Sequence, residues 1–152
     1  MALDMAFNAL QGWHQYISQE DFDYLIQYVE NIKDGILNDE IIILFGRGRN
    51  GKTTLMYHIR LYLGRDIWDK LPDEIETLIC EENIKPLILV HERMNNTNKN
   101  CKRNRNLANA VINFMNYGIS FIIAINEIET VNQKIIEHSK IITMTHIFPN
   151  TL

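Results

Sequence analysis

The sequence predicts an α/β fold: a parallel sheet of about four to five strands with helices on both faces, preceded by a short helical segment. Three observations carry that expectation. The short apolar runs Ile41–Phe45, Leu87–Val90 and Ile119–Ile125 are continuous rather than alternating, as strands buried on both faces are. Amphipathic helical stripes separate them, which is the pattern of parallel strands joined by helical crossovers. The first strand also runs directly into a glycine-rich loop and then a helical pattern, in the stretch IIILFGRGRNGKTTL.

Taken in order, the first stripe is Phe22, Leu25, Ile26 and Val29, at helical spacing, with Asp21 and Asp23 near its start and Gly35 as its stop. Ile41–Phe45 is short and β-branched, a buried strand. Leu55, Ile59, Tyr62 and Leu63 mark a second helix ending near Gly64. Pro72 suits the first turn of a third helix, with Ile75, Leu78 and Ile79 on one face. After the strand Leu87–Val90, the Asn-rich residues 95–106 read as a loop. Leu107, Ala110, Val111, Phe114 and Met115 form a fourth helix closed at Gly118, followed by the strand Ile119–Ile125. A fifth helix is expected through Ile128, Val131 and Ile135, leading to a last alternating segment, KIITMTHIF.

The bulk composition narrows the classes. At 152 residues the chain suits one domain with a sizeable core. Its 46% apolar and 22% charged residues are an ordinary globular mixture. No apolar run approaches a membrane span, so no membrane partner is expected. MALDMAFNALQGW lacks a basic start and a long apolar stretch, which argues against a signal peptide. Cys80 and Cys101 fit no redox or metal spacing, and the histidines form no ligand pair, so an intracellular, reducing compartment is expected. A net charge of −4 argues against a protein that coats nucleic acid over its whole surface. Positive charge is nevertheless concentrated in KNCKRNR, where Lys99, Lys102, Arg103 and Arg105 crowd together; such a cluster also reads as a plain solvated loop.

The loop carries the most specific chemistry. Gly46-Arg47-Gly48-Arg49-Asn50-Gly51-Lys52-Thr53 satisfies G-x-x-x-x-G-K-[ST], which arises by chance about once in two hundred chains of this length. Glycines allow successive backbone N–H groups to surround phosphate oxygens at the positive end of a helix. Lys52 supplies a mobile charge for the β- and γ-phosphates, and the Thr53 hydroxyl suits Mg²⁺. Gly46 to Thr54 are therefore the expected ATP-binding residues. The chain is read as a helical segment, 1–38, and a nucleotide-binding core, 39–152.

Hydrolysis requires a carboxylate near the metal and a group that orients water. Glu92 follows the strand LILV and emerges where parallel sheets place ligands, so it is the candidate for water activation and for magnesium. His91 precedes it where an aspartate is common, and Glu92 also reads as a solvated strand end. Asn126 ends the strand ISFIIAIN and can hold a water or contact a phosphate without adding negative charge.

Together, GRGRNGKT, the strand ending in Glu92 and FIIAINEI resemble the superfamily 3 helicases of viruses and mobile elements. The loop spelling G-x-G-x-N-G-K-[ST] is similar to that of the poxvirus-type primase–helicase branch. FDYLIQYVENIKDGI resembles the helical segment that precedes the loop in that family. The resemblance implies a P-loop ATPase using ATP and Mg²⁺, assembled as a homo-oligomer such as a hexameric ring. It would act on single-stranded DNA or RNA during replication, in a host cell's cytoplasm or nucleus. It makes Asn126 the sensor residue, and Lys99, Lys102, Arg103 and Arg105 candidates for a basic hairpin that grips nucleic acid. Where that family carries an arginine directed at a neighbour's ATP, this chain has Ser139 and Lys140, leaving Lys140 as the candidate cation.

Because the sequence runs only to Leu152, a minimal or truncated relative is expected, or a subunit completed by another protein. A nucleotide-binding regulator with little hydrolysis and a genome-packaging ATPase are the alternative readings. A small nucleoside or nucleotide kinase fits less well, since residues 127–152 contain no arginine for a phosphate-enclosing lid.

Overall fold

A computed structural model describes residues 2–64, 67–68, 86–91 and 102–149. The elements are α1 (Ala2–Gln11), a 3-10 turn (Gly12–Gln15), α2 (Gln19–Lys33), β1 (Ile41–Phe45), α3 (Lys52–Leu63), β2 (Ile67–Trp68) and β3 (Leu87–His91). Then come α4 (Lys102–Asn116), β4 (Ser120–Ile125), a second 3-10 turn (Ile128–Thr130), α5 (Gln133–Glu137) and β5 (Ser139–Thr143). All strands pair in parallel, in the order β2-β3-β4-β1-β5.

Parallel pairing explains the continuous apolar runs. One set of strand residues, including Ile42, Leu44, Leu89, Ile122 and Ile142, packs with α1, α2 and α3. The intervening set, Ile41, Ile43, Ile88, Val90, Phe121 and Ile123, packs with α4 and α5. Both faces are thus covered, and burying each such side chain contributes about 1.5–3 kcal/mol. Among the described residues, no helix is long and apolar enough to cross a membrane.

Helix α2 starts where Ser18 accepts the Asp21 N–H, and it ends before Gly35, whose φ of 73° suits glycine. Tyr28 ties this helix to the sheet. Its hydroxyl lies 2.9 Å from the Glu40 carbonyl and 3.1 Å from that of Phe121, and accepts the Phe121 N–H at 3.1 Å. Burial holds this phenol well above the ordinary tyrosine range. Tyr28→Phe is therefore expected to cost about 1–3 kcal/mol in chemical denaturation, because buried strand groups lose their partner.

Three expectations need correction. The stripe Ile128, Val131, Ile135 is not one helix: Val131 is extended (φ −83°, ψ 133°), and Asn132 restarts the chain as N-cap of the five-residue α5. Residues 102–106 are helical rather than loop: α4 begins at Lys102, so its first turn is wholly polar and carries no apolar stripe for the sequence pattern to mark. The final alternating segment is divided, with Ser139–Thr143 pairing parallel to β1 and residues 144–148 leaving the sheet. Helix α1 falls within the helical segment expected over 1–38, whereas the short strand β2 is an element that the sequence pattern did not mark. The helix expected after Pro72 lies outside the described residues.

Candidate nucleotide-binding site

β1 lies between β4 and β5, and its last residue, Phe45, delivers the chain to the loop at the sheet's carboxyl edge. The Gly46 N–H donates to the Ile125 carbonyl at 3.2 Å, fixing the start of the loop beside the end of β4. A side chain at Gly46 would strike the Asn50 amide and approach the Met144 carbonyl to 2.9 Å. The loop then turns through Gly48 (φ 130°), Arg49 (φ 52°) and Gly51 (φ 83°). Arg49 is the single described non-glycine residue at positive φ, in the same loop. Gly51 leads straight into α3 with no side-chain cap, so the first N–H groups of α3 are not occupied by a capping side chain.

Lys52 is the first residue of α3, and its ammonium donates to the Gly46 carbonyl at 2.5 Å across the loop. Burial lowers its pKa. Thr53 and Thr54 are exposed, as are Arg47 and Arg49. Neither guanidinium has an ion-pair or hydrogen-bond partner among the described residues.

Asn50, in contrast, is buried. Its Oδ1 accepts the Gly48 N–H at 2.8 Å, and its Nδ2 donates to the His146 carbonyl at 2.8 Å. The partners fix the amide's orientation, since an N–H needs the oxygen and a carbonyl needs the NH₂. Two backbone bonds flank it: Met144 N–H to the Phe45 carbonyl at 2.7 Å, and Phe148 N–H to the Arg49 carbonyl at 2.8 Å. The segment after β5 is therefore fastened along the loop.

Residues of that segment alternate in direction. Phe45, Arg47, Arg49, Thr143, Thr145 and Ile147 help to line a cleft of about 480 Å³ over the loop. His146 and Phe148 instead join Trp13 and Tyr16, with ring centroids 4.6 Å apart for Tyr16–His146 and 5.9 Å for Trp13–Phe148. The Trp13 indole N–H donates to His58 Nδ1 at 2.9 Å, anchoring the cluster to α3. Sequence reasoning missed these aromatic residues. For His146 and Phe148 the signal was the alternation in KIITMTHIF, which marks two sides without saying what each side meets; Trp13 and Tyr16 lie outside it.

Asn126 is exposed and directly follows β4, next to the strand that carries the loop, so the structure brings it to the loop's edge. β3 lies one strand further out, with His91 opposite Ala124. Glu92 and Lys99 lie outside the described residues. Lys102, Arg103 and Arg105 occupy the first turn of α4. That helix ends at Asn116, just before β4 begins, so its first turn lies toward the carboxyl edge that also holds the loop. Lys140 is not brought to the loop. It pairs in register with Ile42, near the opposite end of β1, and its ammonium lies 3.3 Å from Asp21 of α2.

No protein-family model matches the chain, and no curated protein matches it. Solved structures do. The Thermotoga maritima RuvB Holliday junction branch migration motor is 16% identical with a TM-score of 0.54, over 88% of this chain and 47% of that one. C. elegans PCH-2 is 13% identical with a TM-score of 0.52, over 95% of this chain and 46% of that one. The chain thus spans about half the length of each. At such identities the likeness speaks to architecture, and the architecture is that of the P-loop NTPases.

Proposed function

We propose that the chain binds ATP with Mg²⁺ at Gly46–Thr54 and hydrolyses it as a helicase-like motor of viral or mobile-element type. The observation that carries this reading is the junction of β1, the loop and α3. There Gly51 adopts a left-handed turn into an uncapped helix start, and the Lys52 ammonium spans the loop. The arrangement fits a polyphosphate, because it offers backbone donors, the Lys52 ammonium and the Arg47 and Arg49 guanidiniums, and no carboxylate of the loop's own. Lys52 and the loop N–H groups would hold the β- and γ-phosphates. Thr53, with Glu92, would hold Mg²⁺, which when bound neutralises charge on the phosphates.

Asn126, placed at the end of the strand next to β1, would orient water or the γ-phosphate. Lys102, Arg103 and Arg105, toward the same edge, are the candidate contacts to single-stranded DNA or RNA, with Lys99 preceding them. The sequence resemblance supports a homo-oligomeric ring for this work. Similarity to the architecture of RuvB, named as a branch migration motor, is compatible with it.

The test is phosphate release with and without single-stranded DNA and RNA, together with mass measurement in ATP. Stimulation by nucleic acid and a larger ATP-bound assembly are expected. Asn126→Ala is expected to lower turnover roughly a hundredfold while ATP affinity stays within about threefold. Absence of hydrolysis at high protein concentration, with nucleic acid present, contradicts the motor.

One observation favours a second reading, a nucleotide-dependent regulator with little hydrolysis. Lys140 is held by Asp21 of its own subunit, and residues 106–152 contain no arginine to reach a neighbour's nucleotide. Tight ATP binding without phosphate release distinguishes this reading; a genome-packaging ATPase is instead distinguished by stimulation with double-stranded DNA.

A further inference from the structure

The buried amide of Asn50 has no counterpart in the phosphate-binding chemistry just described. Its oxygen and nitrogen face two different pieces of backbone, the loop at Gly48 and the segment after β5 at His146. On either side of it, the Met144 and Phe148 N–H groups donate to Phe45 and Arg49, the residues bracketing the first half of the loop. Gly46 packs against both Asn50 and the Met144 carbonyl, and Gly51 against Trp13 and Phe148. The two glycines at the ends of the loop therefore touch the same segment, 144–148, that Asn50 bonds in the middle.

We propose that Asn50 is a positioning residue that locks residues 144–148 to the loop, so that phosphate binding and docking of this segment stabilise each other. The inference builds on the nucleotide reading above and assigns the regulation of that site. The physical basis is reciprocal linkage. The loop's geometry at Gly48–Gly51 is held from outside by the segment, and the segment's hydrogen bonds exist only with the loop in that geometry. Any ligand that favours this geometry must tighten the segment, and loosening the segment must weaken the ligand by the same factor. Asn50 is the single side chain described that bonds both parts at once.

Asn50→Asp separates the two contacts. The carboxylate keeps an acceptor for the Gly48 N–H, but it sets an oxygen against the His146 carbonyl where a donor stood. Residue-resolved hydrogen exchange on the full chain, first without ligand, should show the Met144 and Phe148 amides exchanging about tenfold faster in the variant, with the β4 amides unchanged. Unchanged exchange at 144 and 148, or equal acceleration across β4, overturns the lock. With ATP and Mg²⁺ added, the wild type should gain protection at both amides. The variant should bind about tenfold more weakly and show little nucleotide-dependent protection there. Equal affinity, or equal added protection when each protein is saturated, overturns the coupling. Failure of the wild type to bind ATP would overturn the nucleotide reading instead, while the ligand-free comparison still decides whether Asn50 holds the segment.

Discussion

Lys52→Ala is expected to weaken ATP binding about a hundredfold and to bring phosphate release to background. The ammonium is fixed at the first position of α3, 2.5 Å from the Gly46 carbonyl, and spans the loop from its far side. Exchanging that carbonyl for a phosphate oxygen replaces a neutral acceptor with an anion. Hydrogen bonds to charged groups contribute about 1.5–3 kcal/mol, and the upper part of that range corresponds to roughly a hundredfold. The variant should fold normally. Burial lowers the pKa of Lys52, so the folded chain holds this charge at a cost, and removing it relieves that cost. Calorimetric titration with ATP, beside a thermal melt, checks both statements. Binding within about threefold of the wild type would remove Lys52 from the site.

Gly51→Ala is expected to damage the fold itself. A β-carbon there would lie 2.6 Å from Cη2 of Trp13 and 3.0 Å from Cε2 of Phe148. Trp13 is buried in the layer formed by α1, α2 and α3, with Phe148 packed against it, and its indole is bonded to His58, so the ring has little freedom to retreat. The left-handed backbone at φ 83° adds about 1–2 kcal/mol for any residue with a side chain. Overpacking adds about 1–3 kcal/mol more, giving a loss of about 2–5 kcal/mol against a typical total of 5–15. Gly35→Ala is the control, because φ is 73° there but nothing lies within 4 Å of the added carbon. Denaturant titration of the two should separate backbone strain from the steric clash. Equal midpoints would mean that the aromatic cluster yields easily.

Much of the architecture was legible because its signals are local. Ile41–Leu44 and Phe121–Ile125 are apolar without alternation since both faces of each strand are covered, and that pattern needs no knowledge of partners. The loop was legible for a similar reason: its glycines serve backbone angles that a short motif prescribes. Helix α5 was misjudged because Val131 and Ile135 are buried as a helix would bury them, while the Asn132 cap breaks the chain between them. Lys140 had the composition of a candidate cation, but register pairs it with Ile42 and its charge meets Asp21, a contact between residues 119 positions apart (140 minus 21). Asn50 was noticed as a spelling of the motif. That it joins the loop to the His146 carbonyl depends on where residues 144–148 run, which no local pattern encodes.

The position of β4 in the sheet sets the scale of what can act between its neighbours. Because β4 separates β3 from β1, the carboxyl ends of those two strands are two strand spacings apart, about 10 Å. The end of β4 stands between the end of β3 and the start of the loop. Asn126, directly after β4, follows the strand that separates them. The order of the strands is in this sense a ruler: the middle strand fixes the distance between the two ends on either side of it.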